Sequence, residues 1–374
     1  MKSSLLFMLP ILVFIALGNC GILGGEDKEK PIVWEEESLE GLVVYGFTAG
    51  DSVLHLVNIE NSTITNIYGL EKIRSIASSD DGNFLYVSIG NGRSGGNPGY
   101  VTMIDTYDWS RRVIFDQSVE LENSGSQIYF ITKLNHSGYD YTGNNEELSH
   151  TRTFGRIKPE TGDLNIIDNI DIYALGIGDD KGFEINDLRQ ELFGFDAGFR
   201  LFRYSFFTGQ SESIFQEFDY LEHGTFELSK DGNTLFFANG PVLDIDNEKQ
   251  IGNIISERPS HLVARDDKRE VYISDPPTFE GVFGSTPKMT VYSLDRDSII
   301  DSIDIGSVNY RMYLSPKERF LITHSRKSIF VVDLKTRELV KKIELSNEVS
   351  SFEKFYLYKK PLTKGEINED IFIE

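Results

Sequence analysis

The run Ser79-Asp80-Asp81-Gly82-Asn83-Phe84-Leu85-Tyr86-Val87, followed by Val101-Thr102-Met103-Ile104-Asp105-Thr106, reads as a tight turn, a short strand and then a second short strand. Asp-Gly suits the turn, because glycine tolerates positive φ and the aspartate can bond its own backbone two residues on. The apolar and β-branched runs that follow have the length of strands packed on both faces. Ser229-Lys230-Asp231-Gly232-Asn233-Thr234-Leu235-Phe236-Phe237 repeats the pattern. Ser315-Pro316-Lys317-Glu318-Arg319-Phe320-Leu321-Ile322, with Val331-Val332-Asp333-Leu334 after it, is a looser copy. Working outward, runs of this type begin near Val43, Leu85, Ile128, Leu192, Leu235, Val271 and Phe320, at intervals of 42, 43, 64, 43, 36 and 49 residues.

A period of about 40 to 50 residues with four strands per repeat is that of a propeller blade. The sequence therefore predicts an all-β, seven-bladed β-propeller. Innermost strands are expected from 73, 118, 180, 224, 260 and 309, third strands from 53, 100, 153, 200, 242, 290 and 329, and outer strands from 63, 111, 164, 211, 251, 299 and 339. No inner strand precedes Val43, whereas Ser350 to Tyr358 remain after the seventh outer strand. That surplus is expected to complete the first blade, closing the ring and removing an open sheet edge. The Ser-x-Asp-Gly turn, Leu-Tyr-Val strand and Val-Ile-Asp strand resemble the YVTN-type and WD40-like propeller repeats over residues 41–358. The expected divisions are a signal peptide over 1–19, a lipidated cysteine and tether over 20–40, the propeller over 41–358 and a tail over 359–374.

Composition agrees with a large packed sheet structure. Hydrophobic residues make up 40% of the 374, with 26 Phe and 17 Tyr against 2 Trp, so there is ample apolar surface to offset chain entropy. The formal net charge is −22, from 37 basic and 59 acidic residues. Nucleic acid is thereby excluded as an expected partner, since phosphate binding needs concentrated Lys and Arg; the acidic surface is that of a solvated, exported protein.

Lys2 precedes an apolar run from Leu5 to Leu17 that matches the charged and hydrophobic regions of a secretory signal. The run is short for a membrane span and is interrupted by Pro10. Leu17-Gly18-Asn19-Cys20 then resembles a bacterial lipobox, in which the signal is cut before a cysteine that carries lipid; it departs from that pattern at Asn19, where Gly, Ala or Ser is usual. Cys20 is the single cysteine of the chain, so neither an intramolecular disulfide nor a cysteine metal cluster is available. The resemblance implies a lipoprotein held to a membrane through Cys20. Several acyl chains on one residue would meet the two-signal requirement for stable anchoring. Gly21 to Lys30, rich in glycine and charge, reads as a tether, and glycine rather than aspartate after the cysteine implies the outer membrane in a host that has one. An ordinary signal peptide cut nearby would also export the domain.

Asp-Gly and Leu-Tyr-Val residues are architecture, so function is sought where the repeat is broken. Three long second-to-third-strand loops are expected to share a face: Gly90 to Gly99 with Arg93 and Asn97, Asn135 to Thr151 with Tyr139, Tyr141 and Glu146, and Asp275 to Pro287 with Phe279 and Phe283. Glycine and asparagine permit close approach, and aromatic side chains give rigid contact area, so this face is the candidate surface for an envelope protein or a glycan. Asp244 to Glu248 has alternating oxygen ligands but lacks the glycine and glutamate of a calcium loop, and reads as a hairpin turn. The six histidines, His55, His136, His150, His223, His261 and His324, show no metal-ligand spacing. No nucleophile elbow or phosphate loop is present, and no cofactor is implied.

The expected role is a lipid-anchored binding or scaffolding module of the cell envelope. A second expectation is an enzyme resembling the lactonase-type propellers, and a third an envelope assembly factor resembling the lipid-anchored propellers that help insert outer-membrane proteins. The discriminating feature is the ring axis. Clustered His, Arg and carboxylates there favour catalysis, and a plugged or apolar channel favours binding.

Overall fold

In a computed structural model of the chain, Trp34–Glu374 is one compact unit. The structure describes residues 34–345 except 48–51, 91–98, 125, 133–150, 172–182, 196–200, 216–225, 239, 255–260, 266, 268, 275–287, 306–310 and 326, together with residues 32, 354–359 and 371–373.

The described strands form seven antiparallel blades, numbered here in chain order. Blade 2 (Ile73–Ser78, Phe84–Ile89, Tyr100–Asp105, Arg111–Phe115) and blade 3 (Val119–Ser124, Gln127–Thr132, Thr151–Ile157, Leu164–Asp171) are simple four-strand meanders. So are blade 4 (Phe183–Asn186 to Gln210–Ser213), blade 5 (Phe226–Leu228 to Lys249–Ile254), blade 6 (His261–Ala264 to Ser298–Asp304) and blade 7 (Met312–Leu314 to Glu338–Glu344). The first strands of neighbouring blades touch one another, as Ile73–Ser78 does Val119–Ser124 and His261–Ala264 does Met312–Leu314, which places them around the axis.

Blade 1 is built from both ends of the chain. Lys354–Lys359 lies inside Leu42–Phe47, with Leu42 opposite Lys359 and Phe47 opposite Lys354. The expected closure is thus observed. Blade 1 also carries a fifth strand within the stretch read from sequence as a tail: Ile371–Phe372 runs parallel to Ile64–Tyr68, and the Phe372 ring stacks on Tyr68 at 5.1 Å.

The packing follows from the period of two in each strand. Along Leu42–Phe47, Leu42 and Val44 face blade 7 while Val43, Tyr45 and Phe47 face blade 2. Among the described residues each of the seven interfaces between neighbouring blades holds one buried apolar cluster. The core is therefore a ring of seven interlayers, and every second strand is buried on both faces. Polar side chains add ties between blades, with Tyr86 donating to the Pro159 carbonyl at 2.7 Å and Tyr129 to Asp187 at 2.5 Å.

The quoted turns are built as their residues require. Ser79 Oγ donates to Asp81 at 2.6 Å, the Asn83 N–H donates to the same carboxylate at 3.0 Å, and Gly82 has φ 68°. Burial works against the Asp81 charge, but the hydrogen bonds from Ser79 and Asn83 prevail and hold its carboxyl below the usual range. Blade 5 repeats this with Ser229, Asp231, Asn233 and Gly232 at φ 73°.

Because strands alternate in direction, one face of the ring carries the first-to-second and third-to-fourth turns. The opposite face carries the second-to-third loops and the connections between blades. The two are called the hairpin face and the loop face below.

Candidate functional site

The site lies at the axis on the loop face, where the first strands of blades 4 to 7 begin. A cavity of about 50 Å³ is lined there by Glu184, Phe226, Glu227, His261, Leu262, Arg311, Met312 and Tyr313. At about 10–15 Å³ per water, it has room for roughly three to five ordered waters or a group of that size.

Three of the polar lining residues stand within apolar strands. Glu184 lies between Phe183 and Ile185, Glu227 between Phe226 and Leu228, and Tyr313 between Met312 and Leu314. Their apolar neighbours are used by the blade interfaces, and the period of two turns Glu184, Glu227 and Tyr313 to the other side of their strands, where Tyr313 also packs on the cluster between blades 7 and 1. Blade 6 contributes His261 at the first position of its inner strand, and Arg311 precedes that of blade 7.

Buried hydroxyls on the second strands fix this backbone. The His261 N–H donates to Ser274 Oγ at 3.1 Å, and Ser274 Oγ donates to the His261 carbonyl at 3.3 Å. Thr323 Oγ1 donates to the Arg311 carbonyl at 2.8 Å. Ser274 and Thr323 are both fully buried, so they act as internal pegs rather than solvent contacts.

The arrangement is electrically lopsided. Glu184 and Glu227 come from adjacent blades 4 and 5, and His261 and Arg311 from adjacent blades 6 and 7. Behind Arg311, His324 is fully buried; burial, with the Arg311 charge adding to it, pushes its imidazole down to about 3, so it is neutral at ordinary pH. Arg311 is a fixed positive group of the cavity, which Glu184 and Glu227 also line. Chemically, such a site orients a small polar group by donating from one side and accepting from the other. A histidine beside carboxylates also provides the elements of proton transfer.

Arg93, Asn97, Tyr139, Tyr141, Glu146, Phe279, Phe283 and Cys20 all lie outside the described residues. The strand ends from which the three long loops spring do share the loop face, as their topology requires. Of the residues bounding the first loop, Gly90 and Gly99 serve the fold. A Cβ on Gly90 would come within 2.8 Å of the Ser118 Cβ, and one on Gly99, at φ 78°, within 2.1 Å of the Ile89 carbonyl oxygen. Asp244 accepts from the Asn247 backbone at 3.0 Å and side chain at 2.8 Å, the hairpin read from sequence. Among the described residues no group of three or more His, Cys, Asp or Glu is placed to hold a metal ion.

The axial residues carried a signal that sequence reading passed over. Once the strands are aligned, the second position of the inner strand is polar between apolar neighbours in three successive blades, as Val119-Glu120-Leu121, Phe183-Glu184-Ile185 and Phe226-Glu227-Leu228.

No family model and no curated protein sequence matches the chain. Solved structures do. A protein provisionally assigned as a 6-phosphogluconolactonase from Bacteroides uniformis has TM-score 0.55 at 12% identity, over 84% of this chain and 99% of its own. Sqt1 from Saccharomyces cerevisiae has TM-score 0.55 at 13% identity, over 87% of each chain. The dihydro-heme d1 dehydrogenase NirN has TM-score 0.51 at 14% identity, over 85% of this chain and 66% of its own. Identities this low speak for architecture and not for chemistry, and the architecture they share with this chain is the β-propeller.

Proposed function

We propose that the chain is a ligand-binding propeller of the cell envelope, held to a membrane through lipidated Cys20, with a small polar ligand or the tip of a larger envelope partner seated at the axial mouth. The observation that carries the binding reading is the cavity lined by Glu184 and Glu227 from blades 4 and 5 and by His261 and Arg311 from blades 6 and 7. Its ligand carries donors, such as hydroxyls or an amine, toward the glutamates, and an acceptor, such as a carboxylate or carbonyl, toward Arg311. A sugar terminus and a zwitterionic end group both fit that description. The long loops over Gly90 to Gly99, Asn135 to Thr151 and Asp275 to Pro287 spring from the same face and supply the outer contact surface. The anchor rests on Cys20 and the Leu17-Gly18-Asn19 segment before it.

The same cavity favours a second reading, hydrolysis of a lactone-type ester, because His261 has glutamates beside it to pair with an imidazolium and Arg311 can receive a developing oxyanion. The Bacteroides protein's provisional assignment agrees with it at the level of fold. An assembly role, tested by copurification with outer-membrane proteins, is the remaining reading.

The test is a calorimetric and thermal-shift screen of neutral sugars, amino acids and short glycans against the full chain, run beside a lactone hydrolysis assay. Binding weakened at least tenfold by Glu227→Gln or Arg311→Met, without hydrolysis, supports the binding reading. Turnover abolished by His261→Gln replaces it with the second. Ligand binding indifferent to all three substitutions removes the axial site. For the anchor, mass spectrometry of the membrane fraction should show acylated Cys20, and Cys20→Ala should release the chain to the soluble fraction.

A further inference from the structure

Blade 7 lacks the turn aspartate. Aligned on Ser79-Asp80-Asp81-Gly82-Asn83-Phe84, its turn is Ser315-Pro316-Lys317-Glu318-Arg319-Phe320, with a lysine where blades 2 and 5 have Asp81 and Asp231. The rest of the frame is intact. The Ser315 N–H donates to the Phe320 carbonyl at 2.8 Å, the Glu318 N–H to the Ser315 carbonyl at 2.8 Å, and the Phe320 N–H to Ser315 Oγ at 2.9 Å. Glu318 takes the left-handed position of Gly82, at φ 55°.

The missing carboxylate arrives from 278 residues away. Ser315 Oγ donates to Glu37 Oε2 at 2.5 Å, the Arg319 N–H donates to the same oxygen at 3.3 Å, and the Lys317 N–H donates to Glu37 Oε1 at 3.2 Å. The first two bonds reproduce those that Ser79 and Asn83 give Asp81. The residues before Glu37 are seated as well. Lys317 Nζ donates to the Glu36 carbonyl at 3.1 Å and lies 3.7 Å from the Glu35 carboxylate. The Arg265 guanidinium stands 4.3 Å over the Trp34 ring, which packs on the cluster between blades 6 and 7.

We infer that Trp34 to Glu37 form a clasp in which Glu37 supplies, from outside the repeat, the turn carboxylate that blade 7 lacks, fastening the N-terminal segment to the hairpin face. Two consequences follow from the topology. Trp34 to Glu37 meet the ring on the face opposite the axial cavity. A pull on the N-terminus is received by the last two blades as well as by blade 1, which spreads it across the closure of the ring.

The test is a double-mutant cycle on the full chain, read by thermal unfolding and by tryptophan emission, with Trp109→Phe in every variant so that Trp34 reports alone. Glu37→Ala should lower Tm by about 2–4 °C and shift Trp34 emission to the red. Lys317→Asp with Glu318→Gly restores the Ser-x-Asp-Gly turn within blade 7. In that background Glu37→Ala should cost less than half as much Tm, because the turn carries its own carboxylate. An equal Tm loss in both backgrounds would overturn the inference, as would an unchanged Tm and emission on Glu37→Ala in the parent.

Discussion

Arg337, in the outer hairpin of blade 7, donates at 2.7 Å to Glu270, a blade 6 carboxylate whose side chain is 5% exposed. Glu270 also accepts from Tyr272 at 2.6 Å, and the other arm of Arg337 reaches Asp301 at 2.7 Å. The guanidinium thus spans the second and the outer strand of the neighbouring blade and neutralises a charge that water scarcely reaches. Removing it leaves Glu270 buried with its phenol partner alone. Arg337→Met is expected to cost about 2 kcal/mol, below the roughly 3–5 kcal/mol of a fully buried pair because Arg337 is itself partly solvated. Glu270→Gln, which keeps an acceptor for Tyr272 and creates no buried charge, should cost less. Denaturant midpoints of the two variants measure the difference, and a larger loss for Glu270→Gln would contradict this account.

Gly232 shows how tightly an ordinary turn is tied to the next blade. It has φ 73°, and an added Cβ would stand 1.9 Å from Asn186 Nδ2, which donates to the Gly232 carbonyl at 3.0 Å. Gly232→Ala therefore strains the turn and displaces a buried contact between blades 4 and 5. About 2 kcal/mol is expected from those two effects together. Gly209, also at positive φ, has nothing nearer than 3.5 Å to its missing Cβ, so Gly209→Ala should lose only the backbone part, about 1 kcal/mol. Urea unfolding of the pair separates the two contributions.

The ring's closure makes two truncations unequal. Deleting residues 350–374 removes the inner strand Lys354–Lys359 along its whole ladder with Leu42–Phe47, exposing a central edge and opening the interfaces on both sides of blade 1. A Tm loss of about 10 °C or more, or loss of a cooperative transition, is expected. Deleting residues 366–374 removes, among the described residues, the short strand Ile371–Phe372, the bond from the Ile373 N–H to the Tyr68 carbonyl and two isoleucines at the margin of one cluster, and should cost less, about 3–6 °C. Gly69→Ala should approach the shorter truncation, since its Cβ, at φ 90°, would meet the Ile373 carbonyl oxygen at 2.1 Å.

Sequence patterning revealed the blades because it acts locally. Inner strands expected from 73, 118, 180, 224, 260 and 309 begin at 73, 119, 183, 226, 261 and 312, each marked by its own turn and apolar run. The closing strand was legible because a ring with one blade short must use the surplus at 350–358. Ile371–Phe372 was not legible: two apolar residues beside charged ones have no period, and their pairing with Ile67 and Tyr68 depends on a partner about 300 residues earlier. Glu37 escaped for the same reason, since a carboxylate that completes a turn in another repeat leaves no mark in its own neighbourhood. The axial cavity takes one to three residues from the start of each of four inner strands, so no motif spans it.

His324 should set the response of the fold to mild acid. Its imidazole is enclosed on the second strand of blade 7, with Nδ1 3.2 Å from the Ser325 carbonyl oxygen, and burial followed by the Arg311 charge lowers its folded pKa to about 3. In the unfolded chain the ordinary value is about 6.5. Between these values the unfolded state holds a proton that the folded state does not, so stability falls as pH falls, by about 1.4 kcal/mol per pH unit for one proton. The depressed carboxylates act lower. Asp333 is held down by its bonds from Arg319 against the effect of burial, and Asp301 by its bond from Arg337, so their contributions persist until pH falls below the ordinary carboxylate range near 4. The window from pH 6.5 to 4.5 therefore isolates the histidines from these two carboxylates. Urea unfolding across that window should give a slope steeper in the parent than in His324→Gln by close to one proton, whatever the substitution does to stability at pH 7. Equal slopes would show that His324 accepts its proton without unfolding, through a local opening of the second strand beside Arg311.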